Sequence, residues 1–322
     1  MSRYQRQSML PEIGDAGQQR LASARVLVVG AGGLGSTLLP LLVGAGVGFI
    51  KLYDGDVVEL HNLHRQTLFG MADVGLSKAV CAQRALAQRN PESIVEAHPH
   101  TLRASMISHA LDGIDIVIDA ADNFAITYQL SDICYPRHIP LVCASVLGRT
   151  GYVGSFCADA PSYRALFPQL PTASANCNTA GVMGPAVATL GALQAQMALS
   201  ILLQLKPSPL GCMIKCDFVE WHVRQFRFDY AEEPAHPGVP FIDLQLLTPE
   251  DCIIDLRSVM EAPTSIADDV LRLLPDELAA WQAPEEQRIV LVCASGMRAA
   301  KAAQALEQRG HRRLAIIAAN QC

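Results

Sequence analysis

The residues best suited to chemistry lie between positions 30 and 123 and read as a phosphate site. A GAGGLG run occupies residues 30–35. Gly30, Gly32, Gly33 and Gly35 allow a tight turn and close backbone approach, and a helix opening there offers unpaired N–H groups to phosphate. Asp54 follows 19 residues after Gly35, at the strand end from which a carboxylate accepts from ribose hydroxyls. That fingerprint serves NAD and ATP alike. What comes next favours ATP: Asn62, Arg65 and Gln66, then Lys78, then Asp122 and Asn123. A strand-end carboxylate can hold Mg²⁺ while an arginine and a lysine offset charge growing on an α-phosphate and a leaving pyrophosphate. A nicotinamide enzyme needs an acid or base facing the hydride, and none announces itself. The plain alternative leaves Arg65 and Lys78 as surface charges.

Two cysteines also stand where a thiolate could form. Cys293 opens a CASGMR run at residues 293–298, between a strand-like and a helical segment. A turn there gathers N–H groups around sulfur, and the helix dipole favours an anion. Cys177 lies in an irregular stretch just before an apolar helix, which suits attack on an activated acyl group or a sulfur relay. From the residues alone it is not separable from an ordinary buried thiol.

Strands must end where these groups stand. Short, β-branched, nearly continuous apolar runs at 25–29, 48–53, 114–118 and 139–144 suit a parallel sheet covered on both faces. Helical patterns lie between them, at 36–43 and 77–88. The expected fold is a doubly wound, Rossmann-like α/β domain with a mainly parallel sheet. Polar–apolar alternation over 211–228 adds antiparallel closing strands. Residues 161–179 read as a loop, and YAEEPAHPGVP at 230–240 as a linker. A fresh βα pattern follows, with strand-like runs at 252–256 and 288–292 and a helix at 297–308. The expected organisation is one domain over 1–230, a linker over 231–240 and a small second α/β domain over 241–322.

Composition narrows the classes. Of 322 residues, 50% are hydrophobic and 17% charged, ample for a large core. The net charge of −6 argues against a general binder of nucleic acid or anionic membrane. Ten cysteines with no CxxC pair, and an N-terminus carrying Arg3, Arg6, Glu12 and Asp15, point to reduced thiols in the cytoplasm rather than a secreted scaffold. Residues 165–205 carry no charge, but Pro185, Gln194, Gln196 and several glycines interrupt them. A buried helix is expected there, not a membrane span.

Taken in order, RYQRQ at 3–7, GAGGLG, DGDVVELHNLHRQTLF at 54–69, Lys78, ADN at 121–123 and CNTAGVMGP at 177–185 resemble the ThiF/MoeB (HesA) family. These adenylyltransferases, similar to ubiquitin-activating enzymes, activate ubiquitin-like sulfur-carrier proteins of the ThiS or MoaD type. The resemblance covers about residues 1–230, and the stretch around Cys177 is nearest the thiamine-type enzymes, with molybdopterin-type enzymes as close kin. It implies ATP and Mg²⁺ as cofactors. Asp54 would bind the ribose, with Asp56 and Asn62 lining the same pocket. Arg65, Gln66 and Lys78 would bind the triphosphate, and Asp122, beside Asn123, would hold magnesium. Arg6 would reach the nucleotide of a second subunit, implying a homodimer. The carrier's C-terminal glycine carboxylate, at the end of a Gly-Gly tail, would attack the α-phosphate to give an acyl-adenylate.

Residues 241–322 resemble a rhodanese domain, truncated or degenerate, through the loop residues Cys293, Gly296 and Arg298 and an early DLR at 255–257. Ala299 stands where that family has a hydroxyl residue. The implied chemistry is sulfur transfer to the carrier from a donor such as a cysteine desulfurase or thiosulfate. The first unit departs from its family too. Ser162 and Ala165 replace one CxxC zinc pair, and the second pair is missing from the linker. Cys212 and Cys216 share one face of a strand and suit packing, and His61, His64, His98 and His100 are not at finger spacing. No structural zinc site is expected. Thr127 stands where the family tends to have arginine. Two other functions stay open: an NAD-dependent dehydrogenase on the same glycine fingerprint, and a non-catalytic module that only holds a carrier.

Overall fold

In the computed structural model the described residues are 3–170, 181–236, 238–278, 280–284 and 286–321. Strands β1 (Arg25–Val29), β2 (Phe49–Tyr53), β3 (Ile94–His98), β4 (Ile116–Asp119) and β5 (Leu141–Leu147) run parallel; β6 (Thr150–Phe156), β7 (Cys212–Asp217) and β8 (His222–Arg227) are antiparallel. Together they form one eight-stranded sheet in the order β3-β2-β1-β4-β5-β6-β7-β8. The order reverses between β1 and β4, and a ligand crevice opens outside the carboxyl ends of strands at such a point. Alternate residues of the central strands feed two separate cores. Leu27, Val29 and Val117 face one, while Val26, Val28, Ile116 and Ile118 face the other.

Two strands have no clear sequence signal. β3, with the sequence IVEAH, is half exposed and carries Glu96 and His98 at the sheet's edge. β6, TGYVGSF, holds two glycines, at positions where little space exists: a Cβ on Gly151 would lie 2.4 Å from the Ser145 carbonyl oxygen.

The apolar stretch after residue 180 forms the helix Gly184–Leu202, with Pro185 at its first turn. By length and composition this helix could cross a membrane. Here it packs on the helix Gly33–Ala45 and on β5 and β6. Gly191 permits the approach, because a Cβ there would sit 2.8 Å from the Leu34 carbonyl oxygen. Gln194, fully buried, donates to the carbonyl oxygen of Asp119 at 2.5 Å and so ties the helix to the end of β4.

Four further strands, β9 (Cys252–Asp255), β10 (Leu271–Arg272), β11 (Ile289–Cys293) and β12 (Leu314–Ala318), build a second parallel sheet in the order β10-β9-β11-β12. Its core continues into the first unit: Phe241, Leu291 and Ala300 belong to the same apolar cluster as Ile107, Ala125 and Tyr128. Phe241 packs edge-on against Phe124, with ring centroids 5.7 Å apart. Buried Asp243 accepts from both the backbone N–H (2.8 Å) and the hydroxyl (2.6 Å) of Ser105. The second unit is therefore bolted to the helices on one face of the large sheet.

Cys212 and Cys216 point into the core, and burial pushes both thiols up. At the position of the replaced CxxC pair, hydrogen bonds tie residues 162–164 to Asp132, Glu233 and Val239. Ser162 donates to Glu233 through its N–H (2.7 Å) and hydroxyl (2.6 Å), and Arg164 grips Asp132 at 2.6 and 2.8 Å and the Val239 carbonyl at 3.2 Å. Ser162→Ala removes a charge-assisted bond at a site 5% exposed. We expect it to lower unfolding free energy by about 1–3 kcal/mol, read by urea denaturation.

Candidate nucleotide site

The glycine turn joins β1 to the helix Gly33–Ala45. Gly30 has φ +100°, and a side chain there would strike the Ala120 carbonyl oxygen at 2.7 Å. Only glycine fits both demands. Gly35 serves differently from the expectation. It faces Gly30, whose carbonyl oxygen would lie 2.2 Å from a Cβ, and it does not line the cleft. Its role is close packing of the turn on the helix.

Above the carboxyl ends of β1, β2 and β4 lies a cleft of about 600 Å³. Gly30, Gly32 and Gly33 form its floor near the helix N-terminus; Asp54 and Asp56 enter from the end of β2. Asn62, Arg65, Gln66 and Lys78 also line it, as do Asp122 and Asn123 beyond β4. The cleft thus gathers the predicted nucleotide residues except Gly35 and Arg6.

Asp54 is held at the turn by two N–H groups, from Ala31 at 2.7 Å and Asp56 at 2.9 Å. Burial raises its carboxyl above the usual range, while those N–H groups and the charge of Lys78 pull the other way. Lys78 is 5% exposed and its ammonium lies 2.8 Å from the exposed Asp56 carboxylate. An ammonium has three donors, so that bond leaves others for a ligand oxygen. Arg65 donates from Nη1 to the His61 carbonyl at 3.1 Å, which steadies the guanidinium, while its Cγ lies beside Gly33. Gln66 is buried and its Oε1 has no hydrogen-bond partner. An orphaned acceptor in a cleft wall marks a place completed by ligand or solvent. Asn62 lines the cleft yet also closes its own turn, with Oδ1 accepting from Glu59 N–H at 3.1 Å. Asn123 caps the helix Phe124–Cys134 by accepting from Ala125 N–H at 2.9 Å, which leaves the exposed Asp122 at the cleft mouth.

One important residue escapes a sequence reading. Asp119, the last residue of β4, is fully buried behind the cleft and accepts from the Thr127 hydroxyl at 2.5 Å and from Ala121 N–H at 3.0 Å. Thr127 itself lines the cleft, and its hydroxyl orients this carboxyl. Burial pushes Asp119 up to about 7, the hydroxyl and N–H bonds oppose that, and Asp122 adds to it. Its carboxyl thus keeps a proton that an unfolded chain releases from about pH 3.8 upward. Folding takes up that proton, so this group's contribution to stability falls as pH rises to about 7 and is level above. We expect the stability of Asp119→Asn relative to wild type to grow between about pH 4 and pH 7. Urea titrations across that range measure it; a difference independent of pH contradicts it.

Arg6 is exposed on the short helix Gln5–Ser8 and does not enter this cleft. Its neighbours anchor the segment: Asn90 donates to the Tyr4 hydroxyl at 2.8 Å, and Gln7 donates to the Ala45 carbonyl at 2.9 Å. Cys177 lies outside the described residues. Among the described residues no three His, Cys, Asp or Glu side chains converge to hold a metal.

Cys293, Gly296 and Arg298 also stand outside the cleft, though close behind it. Cys293 ends β11 fully buried, and its sulfur accepts the N–H of Ala299 at 3.4 Å. Gly296 takes φ +87°, and a Cβ there would meet Phe241 at 2.9 Å and the cleft residue Phe124 at 3.7 Å. Arg298 is paired with Glu261, whose carboxyl it holds below the usual range. Arg257 grips buried Asp255 through Nε at 2.9 Å and Nη2 at 2.8 Å.

Known proteins agree with this architecture. Residues 4–236 match the profile of the ThiF family. Over 233 residues the chain is 40% identical to a sulfur carrier protein adenylyltransferase of Thermus thermophilus, covering 70% of this chain and 86% of that protein. Over 318 residues it is 34% identical to "Adenylyltransferase and sulfurtransferase MOCS3" of Drosophila virilis, covering 90% of this chain and 70% of the relative. The mouse protein of that name is 42% identical over 228 residues, and this chain spans only 50% of it. Among solved structures, E. coli MccB with MccA-N7isoASN superposes with a TM-score of 0.65 over 73% of this chain and 74% of that one, at 23% identity, which speaks for the fold. With the family profile covering most of its length, and the glycine turn, Asp54, Arg65, Lys78 and Asp122 in one cleft, the chain belongs to the ThiF family.

Proposed function

We propose that the chain is an ATP-dependent adenylyltransferase acting on the C-terminal glycine of a ubiquitin-like sulfur-carrier protein. The observation that carries this reading is the convergence of Gly32, Gly33, Asp54, Arg65, Lys78 and Asp122 on one cleft at the switch point of the sheet. The names of the relatives support the carrier as substrate. Asp54 holds the ribose, and the N–H groups at the helix start, with Arg65, Gln66 and Lys78, hold the triphosphate. A carboxylate oxygen of the carrier forms a bond to the α-phosphorus, and the bond to the pyrophosphate oxygen breaks. Arg65 and Lys78 meet the charge that grows on the leaving group, and positioning supplies much of the rest. The exposed carboxylate of Asp122 fits a hard cation of the Mg²⁺ type, which takes one or two carboxylates plus phosphate oxygens and offsets their charge. Neither a nicotinamide-facing acid nor a hydride path is needed to account for these groups.

The second unit is read as a rhodanese-like sulfur carrier. Loaded by a cysteine desulfurase or by thiosulfate, the terminal sulfur of a Cys293 persulfide attacks the acyl carbon and expels AMP. A second thiol then attacks the Cys293 sulfur, the S–S bond breaks, and the carrier leaves as a thiocarboxylate. Arg6, exposed on an anchored segment, suits a homodimer in which it reaches the nucleotide of the other subunit. The test is mass spectrometry of a carrier ending in Gly-Gly after incubation with ATP and Mg²⁺. The adenylate is expected first, and the thiocarboxylate once a sulfur donor is added. An unmodified carrier, with nicotinamide nucleotide bound instead, contradicts the reading.

A further inference from the structure

The cleft spans both faces of the large sheet, and its two ends differ in kind. Arg65 lies beside Gly33 and Gly184, whose helices cover one face; the helix that begins with Lys78 packs into the same core. The other end is walled by Leu102 and Phe124, which belong to the opposite core. Asp54 links the two: its carboxylate accepts from Ala31 N–H in the glycine turn, and the next residue, Gly55, packs against Thr101 beside Leu102. A nucleotide with its phosphates at Arg65 and Lys78 and its ribose at Asp54 therefore puts its base against Leu102 and Phe124. One residue from the second unit, Asn320, is exposed and lines the cleft, and its close neighbours Ala318 and Gly296 stand beside Phe124.

We propose that Asn320 recognises the adenine of ATP, so that the second unit completes the base end of the nucleotide site. A base needs apolar surfaces for its faces and a few fixed polar groups for its edge. Leu102 and Phe124 are the apolar surfaces. A carboxamide offers a donor and an acceptor side by side, the pattern that pairs with the amino group and N7 of adenine and that hypoxanthine, with acceptors at both places, does not match. A neutral amide adds nothing to the phosphate end, which the cations already serve. The position is fixed rather than incidental. Asn320 N–H donates to the Ala294 carbonyl at 3.0 Å, next to Cys293, and the second unit is fastened beside this wall by Phe241 on Phe124 and Asp243 on Ser105. The same turn thus touches the nucleotide cleft and the Cys293 loop.

This inference rests on the reading of the cleft as an ATP site. Isothermal titration of the full chain with ATP and with inosine triphosphate, in the presence of Mg²⁺, separates the two. Wild type is expected to prefer ATP. Asn320→Ala is expected to weaken ATP about tenfold while leaving inosine triphosphate nearly unchanged. If wild type binds no ATP, both the reading and the inference fail. If Asn320→Ala binds ATP as wild type does, only the inference fails. An equal loss for both nucleotides overturns adenine recognition, and so does unchanged ATP binding with a raised KM for the carrier, which assigns Asn320 to the peptide tail.

Discussion

Lys78→Ala is expected to lower the rate of ATP–pyrophosphate exchange by about 10²–10³-fold, the usual cost of removing one preorganised charge from a transition state. The expectation follows from where the ammonium sits. Lys78 is almost wholly buried at the start of a helix, and its carboxylate partner, Asp56, is exposed. A buried cation is costly unless something meets it, and a solvated carboxylate on one side does so only in part. The triphosphate is the natural second partner. Because Asp56 can return to water, the substitution leaves no buried charge unpaired. The melting temperature should therefore change far less than the rate. A variant that unfolds, or one that exchanges pyrophosphate at the wild-type rate, contradicts this account of Lys78.

Cys293→Ser separates the two halves of the proposed chemistry. Adenylate formation should proceed as in wild type, since Cys293 does not line the cleft. Thiocarboxylate formation should fall to background, because serine cannot carry the transferable sulfur. The geometry adds a condition. The Cys293 sulfur is fully buried, and the loop behind it is packed on Phe241 and held by Arg298 against Glu261. Loading from any donor requires that this loop open. Mass spectrometry of the carrier, with and without a sulfur donor, reads both products at once. Thiocarboxylate from Cys293→Ser at the wild-type rate removes Cys293 from the pathway.

Much of the site is legible in the sequence because its parts are local. The GAGGLG turn, Asp54 at the end of β2, and Asp122 after β4 each follow from a strand ending where a short motif begins. β7 and β8 are legible for the same reason, as alternating runs. Other parts depend on distant contacts. β3 is an edge strand with too little burial to show a strong apolar run, and β6 carries glycines that only its neighbours explain. Asp119 follows apolar residues of β4 and looks like the end of a strand, yet Thr127 and Gln194 converge on it from two helices. Asn320 has no motif at all, and only the docking of the second unit brings it to the cleft. Gly35 and Asn62 carry local duties that spacing does not reveal: Gly35 packs the turn on its helix outside the cleft, and Asn62 lines the cleft while also closing its own turn.

The most direct measurement is ATP–pyrophosphate exchange by the full chain with a purified sulfur-carrier protein ending in Gly-Gly, compared with the same carrier lacking the terminal glycine. The account predicts exchange that needs ATP, Mg²⁺ and the intact tail together. Exchange that ignores the tail, or none with any such carrier while ATP still binds, contradicts it.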